Sequence, residues 1–371
     1  MGGQRIACII FIIVLIFIVT FILKRKLRPS SIILEQNIKH VSSFVINRKE
    51  LRSKLLPEHQ LYGVFNPSII YRPHNKDYVI LFRVSSFVSC SDNINLSPPY
   101  HGVIYQGILD EKNRVSNLKL VDLPYETMKY CTGGDPQPNN GVEDPRVFLF
   151  RKELWVAANA NGNRKKFPCV PLMCIWKMSD SRNTFRYLKT PKSLGSDNQS
   201  QKNWAPFEWN GMLLFEYSVN PHIILRANIE NGETYIFCKS ENTTKPTLSG
   251  GGAAITVYIG KRKYFLNIAH LWLPVSDWLE MFKSYYNEGR LYNRDYYHYF
   301  YLFEAEPPFR IVFMSDAFKI AGGNEKVQFA GGCTYNSDQN KIVISYGKKD
   351  CDTAFAFYDI KDILISDKVL S

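Results

Sequence analysis

The sequence predicts an all-β chain whose strands form the four-stranded blades of a propeller, preceded by one membrane-spanning helix. Three observations point there. Short runs rich in aromatic and β-branched residues recur along the chain, each bounded by Gly, Asn, Pro or Asp, which is how strands joined by turns read. No linker interrupts them from residue 58 to residue 371, so they belong to one architecture. Several of these runs end in a polar cluster, as in Phe82-Arg83, Phe215-Glu216, Ala269-His270 and Tyr346-Gly347. A propeller collects such strand ends around one channel and leaves few exposed edges. No repeat signature of the WD or kelch kind marks the period.

Residues 1–5 form a short tail, and residues 6–23 read IACIIFIIVLIFIVTFIL without a charge. At about 1.5 Å per residue that run just spans the hydrocarbon core of a bilayer. It continues directly into Lys24, Arg25, Lys26 and Arg28 with no small-residue cleavage site, which predicts an uncleaved signal anchor. The positive cluster after the helix would by itself keep the large domain cytosolic. Against it stand sequons at Asn95, Asn198 and Asn242 and seven of the eight cysteines outside the helix, without metal-ligand spacing. The expectation is a single-pass membrane protein whose domain faces the lumen of the endoplasmic reticulum or Golgi.

Residues 24–57 are polar and mixed in charge and read as a stem or a first peripheral segment; residues 58–371 hold the predicted catalytic domain. Strands are expected at 68–71, 78–84, 102–105, 146–150, 153–157, 212–217, 254–258, 263–268, 309–314, 341–346 and 354–359. One helix is expected at 275–288, where Trp278, Phe282 and Tyr285 share a side. A 45% hydrophobic content supports a sizeable core, and a net charge of +12 favours anionic partners such as sugar phosphates, nucleotides or a membrane surface. No long basic run or basic helix carries that charge, which speaks against nucleic acid.

Glu143-Asp144-Pro145-Arg146 crowds two acids and an arginine at the mouth of a strand, with a proline fixing the backbone between them. Four clusters could converge on it: Asn66-Pro67-Ser68 with Arg83; Lys202-Asn203-Trp204 followed by Glu216; Ser249-Gly250-Gly251-Gly252 with His270; and Tyr346 with Asp350 and Asp352. Each has a plainer reading, as a surface turn, a snorkelling arginine, a packed tryptophan or a structural histidine. Trp204 beside Lys202 and Asn203 suits a sugar face and an anion, and the glycines allow close backbone approach to a ligand.

The order of these motifs, Asn66-Pro67, Leu81-Phe82-Arg83, Gly141-Val142-Glu143-Asp144-Pro145-Arg146, Lys202-Asn203, the Gly-rich segment before His270, and Ile344-Ser345-Tyr346-Gly347 with Asp350, resembles glycoside hydrolase family 130. That family holds β-mannoside phosphorylases and hydrolases, and glycosyltransferase family 108 is related to it. The resemblance implies a five-bladed β-propeller with Asp144 as the single general acid. Glu143 and Arg146 would position Asp144 or hold sugar hydroxyls. Asn66, Arg83, Lys202 and His270 would bind phosphate and the adjoining sugar, and Asp350 would contact the sugar.

The chain departs from the family pattern at Ser200 and Gln201, where an arginine is expected, at Phe215-Glu216, where a His-Arg pair is expected, and at Leu271, where glycine is expected. Inverting transfer to phosphate needs one acid and a cationic cradle, whereas inverting hydrolysis needs a second carboxylate about 6.5–9.5 Å away to activate water. Glu208, Glu216 and Asp352 are the candidate bases. The expected activity is glycosyl transfer, of a β-mannosyl group, to an acceptor sugar or phosphate, with an inverting glycosidase or an inactive glycan-binding propeller as alternatives. The expected partners are a glycan, inorganic phosphate or a nucleotide sugar, and the membrane through residues 6–23; no cofactor or metal is expected.

Overall fold

The computed structural model describes residues 38–86, 100–125, 139–161, 171–195, 201–241, 248–274 and 294–364. The chain divides into Met1–Glu35 and Gln36–Ser371, and the described residues all belong to the second unit. The expected membrane span at 6–23, the expected helix at 275–288 and the three sequons lie outside them. No helix among the described residues is long and apolar enough to cross a membrane.

After a first strand, β1 (Ser42–Val45), the chain makes five successive antiparallel groups. The first contains β2 (Gly63–Arg72), β3 (Asp77–Ser85), β4 (Tyr100–Leu109) and β5 (Val115–Leu120). The second contains β6 (Asn139–Phe150), β7 (Glu153–Asn161), β8 (Pro171–Lys177) and β9 (Arg186–Tyr187). It is joined to the first by a short parallel pairing in which Gly102 faces Gly141. The third contains β10 (Ala205–Trp209), β11 (Met212–Val219), β12 (His222–Ala227) and β13 (Thr234–Ser240). In the fourth, β14 (Ser249–Gly250) and β15 (Ile255–Ile259) both pair with β16 (Arg262–Pro274), and β17 (Arg294–Glu304) and β18 (Ile311–Met314) follow. The fifth contains β19 (Gln328–Asn336), β20 (Lys341–Lys348) and β21 (Asp352–Asp359).

Strand β1 completes the fifth group by pairing with β21, Ser42 facing Phe357 and Val45 facing Ala354. This corrects the reading of residues 24–57 as a stem, because the described part of that segment, from residue 38, is built into the folded body. A short helix, Arg48–Ser53, follows with Asn47 accepting from the amides of Lys49 and Glu50, and it buries Leu51. An edge strand and one short helix each bury a single side, so their composition stays polar.

Consecutive groups pack through apolar seams. Leu81 and Ile104 of the first group meet Val156 and Trp176 of the second. Phe148 and Trp155 of the second meet Leu213 and Phe215 of the third. Phe207 of the third lies 4.9 Å from Phe265 and 5.4 Å from Phe303 of the fourth, ring centre to ring centre. Leu266 and Phe300 of the fourth meet Ala330 and Ile344 of the fifth. Val343 and Phe355 of the fifth meet Ile80 and Phe82 of the first. Each group is thus covered on both faces, which explains why strands such as Asp77–Ser85 read as nearly continuous apolar runs rather than alternating ones.

All eleven expected strands fall on observed ones. The sequence passed over β19, whose Gly331 and Gly332 read as a turn. A Cβ at Gly331 would lie 2.4 Å from the Pro67 carbonyl oxygen, so these glycines let β19 press against β2.

Candidate active site

Two bulges of the same construction build the site. In β2 the register slips between Phe65 and Ser68, and in β6 between Glu143 and Arg146. Each slip holds a residue of positive φ followed by proline: Asn66 (φ 47°) before Pro67 and Asp144 (φ 50°) before Pro145. Asn and Asp tolerate that conformation best among residues with a side chain, and a bulge re-aims the side chain out of the ladder. Here the two side chains meet: the Asn66 amide donates to Asp144 Oδ1 at 2.9 Å.

Arg83 on β3 donates to the same Oδ1 at 3.2 Å and to Glu143 at 2.8 Å. Lys202 reaches the other oxygen of Glu143 at 3.3 Å. Both bonds from Asn66 and Arg83 fall on Oδ1, and Asp144 is 8% exposed. Burial pushes the Asp144 carboxyl upward, but Arg83 and Lys202, with help from Asn66 and Arg146, outweigh it and hold the pKa below the usual value. Asp144 is therefore ionised at neutral pH.

Arg146 is a truss rather than a sugar ligand. It is fully buried and donates to the Gly251 carbonyl at 2.6 Å, the Asp144 carbonyl at 3.0 Å and the Asn203 side-chain oxygen at 2.8 Å. It ties the second, third and fourth groups together behind the acid. Burial lowers its pKa to about 10, so it keeps its charge at neutral pH. Asn203, itself at φ 65°, is oriented by that bond.

His270 was expected in a cationic set with Arg83 and Lys202, and the structure corrects this. Burial, followed by the Arg146 charge, drives its pKa down to about 3, so the imidazole is neutral. Its ring lies 5.2 Å from Phe329 and 5.8 Å from Tyr296, and its Nδ1 is buried without a partner. Two more buried atoms lack partners beside Asp144: Asn66 Oδ1 and Arg83 Nε. Asp350, in the turn after β20 with φ 50°, acts electrostatically on Arg83. Tyr296 stands within electrostatic reach of both Asp350 and Asp144.

Tyr346 does not join the site; it is buried in the apolar seam with Ile344 and Tyr358. The three candidate bases are committed elsewhere. Glu208 accepts from the Arg151 amide at 2.8 Å. Asp352 pairs with Arg48 at 2.7 Å. Glu216 is buried in the seam between the third and fourth groups, bonded to Asn267 at 2.8 Å, Tyr301 at 2.8 Å and His222 at 2.9 Å. Tyr296 was missed, and Gly347 was named only as part of a motif. Tyr296 sits in the aromatic run Tyr296-Tyr297-His298-Tyr299, which reads as core, and a Cβ at Gly347 would fall 2.0 Å from Asn66 Oδ1. Among the described residues no three His, Cys, Asp or Glu side chains gather to hold a metal ion.

No protein-family model matches this sequence, and no curated protein matches it. Solved structures do match. The β-1,2-mannobiose phosphorylase of Listeria innocua, in complex with β-1,2-mannobiose, is 14% identical over 87% of this chain and 98% of its own, with a TM-score of 0.55. A glycosyl hydrolase of Bacteroides ovatus is 14% identical over 81% of this chain and 85% of its own, with a TM-score of 0.54. A structure reported for glycoside hydrolase family 130, as mannoside phosphorylases that include hydrolases targeting β-1,2-mannosidic linkages in Candida mannan, gives 14% identity and a TM-score of 0.52. It covers 81% of this chain and 85% of its own. The chain has their fold. The resemblance read from motif order therefore holds at the level of the fold, at an identity that leaves activity to be argued from the site.

Proposed function

We propose that this chain is a membrane-anchored, five-bladed β-propeller enzyme that transfers a glycosyl group, a β-mannosyl group, to an acceptor sugar or to phosphate with Asp144 as general acid. The five antiparallel groups would be the blades, with β1 closing the last. One observation carries the functional reading. Asp144 is a buried acid bonded by Asn66 and Arg83, with Lys202 paired to the adjoining Glu143, and one acid set among two cations suits a ligand with hydroxyls or an anion.

The chemistry follows from the charges. To protonate a glycosidic oxygen Asp144 must carry a proton, which Arg83 and Lys202 oppose. An anionic co-substrate drawing those two cations to itself would release Asp144 to take up the proton. The commitment of Glu208, Glu216 and Asp352 elsewhere favours transfer to phosphate over hydrolysis, since water, like a sugar hydroxyl, needs a base that phosphate does not. The apolar run at 6–23 supports the anchor. Cys351 is disulfide-bonded, which supports a luminal domain.

The purified domain should be incubated with β-1,2-mannooligosaccharides with and without phosphate, and separately with GDP-mannose plus mannose. Phosphate-dependent mannose 1-phosphate, or an elongated product, supports the proposal; free mannose alone points to the glycosidase. If nothing turns over while the Asp144→Asn variant still binds glycan, the chain is a binding propeller. A mobility shift on glycosidase treatment of the expressed protein, at Asn95, Asn198 or Asn242, would place the domain in the lumen.

A further inference from the structure

We propose that the hairpin formed by β16 and β17 carries a platform for a third sugar ring, beyond the two whose shared glycosidic oxygen Asp144 would protonate, made by Trp272, Tyr296 and Arg294. The proposal rests on the glycoside reading of the site and says where the rest of the substrate lies. The register puts these residues on one face: His270 is opposite His298, Trp272 opposite Tyr296, and Pro274 opposite Arg294. Directly opposed residues of an antiparallel pair share a face, and so do residues two apart on one strand. That face begins at His270, which lies within electrostatic reach of Asp144 and Arg146. It continues outward to Trp272, roughly 7 Å further along the strand at about 3.4 Å per residue.

The contacts agree with the register. Tyr296 lies 5.8 Å from the His270 ring, and the Arg294 guanidinium lies 4.8 Å from the Trp272 ring centre. Arg294 also hydrogen-bonds the Tyr296 side chain. The opposite face of the hairpin is pinned: Lys319 pairs with Asp295, donates to the Tyr296 carbonyl at 2.7 Å and lies 4.3 Å from the Tyr297 ring centre. The back of the arm is thus held while its front stays open, with Trp272 45% exposed in a chain whose other described tryptophans are buried or half-buried. An exposed tryptophan held rigid at the rim of a polar site is a poor surface residue and a good partner for the apolar face of a pyranose. The guanidinium and phenol beside it offer hydrogen bonds to ring hydroxyls. Asp350 and Asp144 both act on Tyr296, so the strip disfavours a diphosphate and fits a neutral polyhydroxylated ring.

The test is titration calorimetry of β-1,2-mannobiose, mannotriose and mannotetraose into the full chain carrying Asp144→Asn, with and without Trp272→Ala. Without the second change, the longer glycans should bind more tightly than the disaccharide. With it, that gain should shrink about three- to tenfold while the disaccharide is unchanged, and Trp272→Phe should restore part of the gain. Equal weakening at every length, or no change at any, overturns the platform while leaving the function standing. Failure of every glycan to bind the Asp144→Asn chain removes both. Weakened GDP binding with unchanged glycan binding would assign the strip to a nucleobase and overturn the proposal.

Discussion

Two buried carboxylates organise this molecule in opposite ways. Glu216, in the seam between the third and fourth groups, spends both oxygens: Asn267 donates to one, and Tyr301 and His222 meet the other. The second ring nitrogen of His222 faces the Phe309 carbonyl at 2.8 Å, so this network closes on itself. Asp144 receives both of its side-chain bonds on one oxygen, and its neighbours Asn66 and Arg83 each keep a buried polar atom without a partner. Both acids lie at a slip in register, Glu216 after and Asp144 before the apolar run of its strand. What separates a structural acid from a chemical one here is completeness of hydrogen bonding, since a closed network fixes a fold and an open one waits for a ligand.

Substitution at each acid sharpens that contrast. Asp144→Asn should lower turnover by about 10²–10⁴-fold, the range for losing a general acid, and change urea-denaturation stability by less than about 1 kcal/mol. A large stability loss in that variant would make Asp144 another Glu216. Glu216→Ala should do the reverse, costing about 3–5 kcal/mol because it strands His222, Asn267 and Tyr301 in a dry seam, while the fraction that stays folded keeps its kcat. A fall in kcat in that folded fraction would move Glu216 into the chemistry.

A smaller effect concerns the two opposed histidines of the fourth group. Burial drives the pKa of His298 well below 6.5, and that of His270 to about 3. Both are neutral when folded and titrate near 6.5 when unfolded, so the unfolded chain takes up the protons first. Stability therefore falls as pH drops below about 6.5, with each histidine contributing roughly 1.4 kcal/mol per pH unit. His298 has neither ring nitrogen partnered. His298→Leu should leave stability at pH 7.5 unchanged or raised, and should flatten the denaturation midpoint between pH 6 and pH 4. An unchanged slope would show that His298 has a proton acceptor in the native chain.

The sequence carried the centre of the site and little of its rim. Asn66-Pro67 and Glu143-Asp144-Pro145-Arg146 stood out because ionisable groups crowd beside a proline at the edge of an apolar run and because their order resembles a family; the bulges that bring Asn66 and Asp144 together were not read. Glu208, Glu216 and Asp352 were misread as bases because spacing along a chain does not say which face of a strand a side chain takes. Tyr346 was misread for the same reason, lying in the seam one residue from the close-packed Gly347. The charge state of His270 was invisible, since it depends on burial against Phe329 from another group. Arg146 was expected to position Asp144 or to hold sugar hydroxyls, and its bond to the carbonyl of Gly251, 105 positions away, favours the first.

The closing strand has a consequence in time. Arg48, just after β1, bonds Asp352 at the start of β21 across 304 positions of sequence. During synthesis at about 5–20 residues per second, β1 must therefore wait roughly 15–60 s for its partner to emerge. Contacts of such long span also form slowly once the whole chain is present. Until then the edge of β1 and the outer face of the first group stay open to wrong pairing, which makes the nascent chain a client for chaperones well before its fifth group can close.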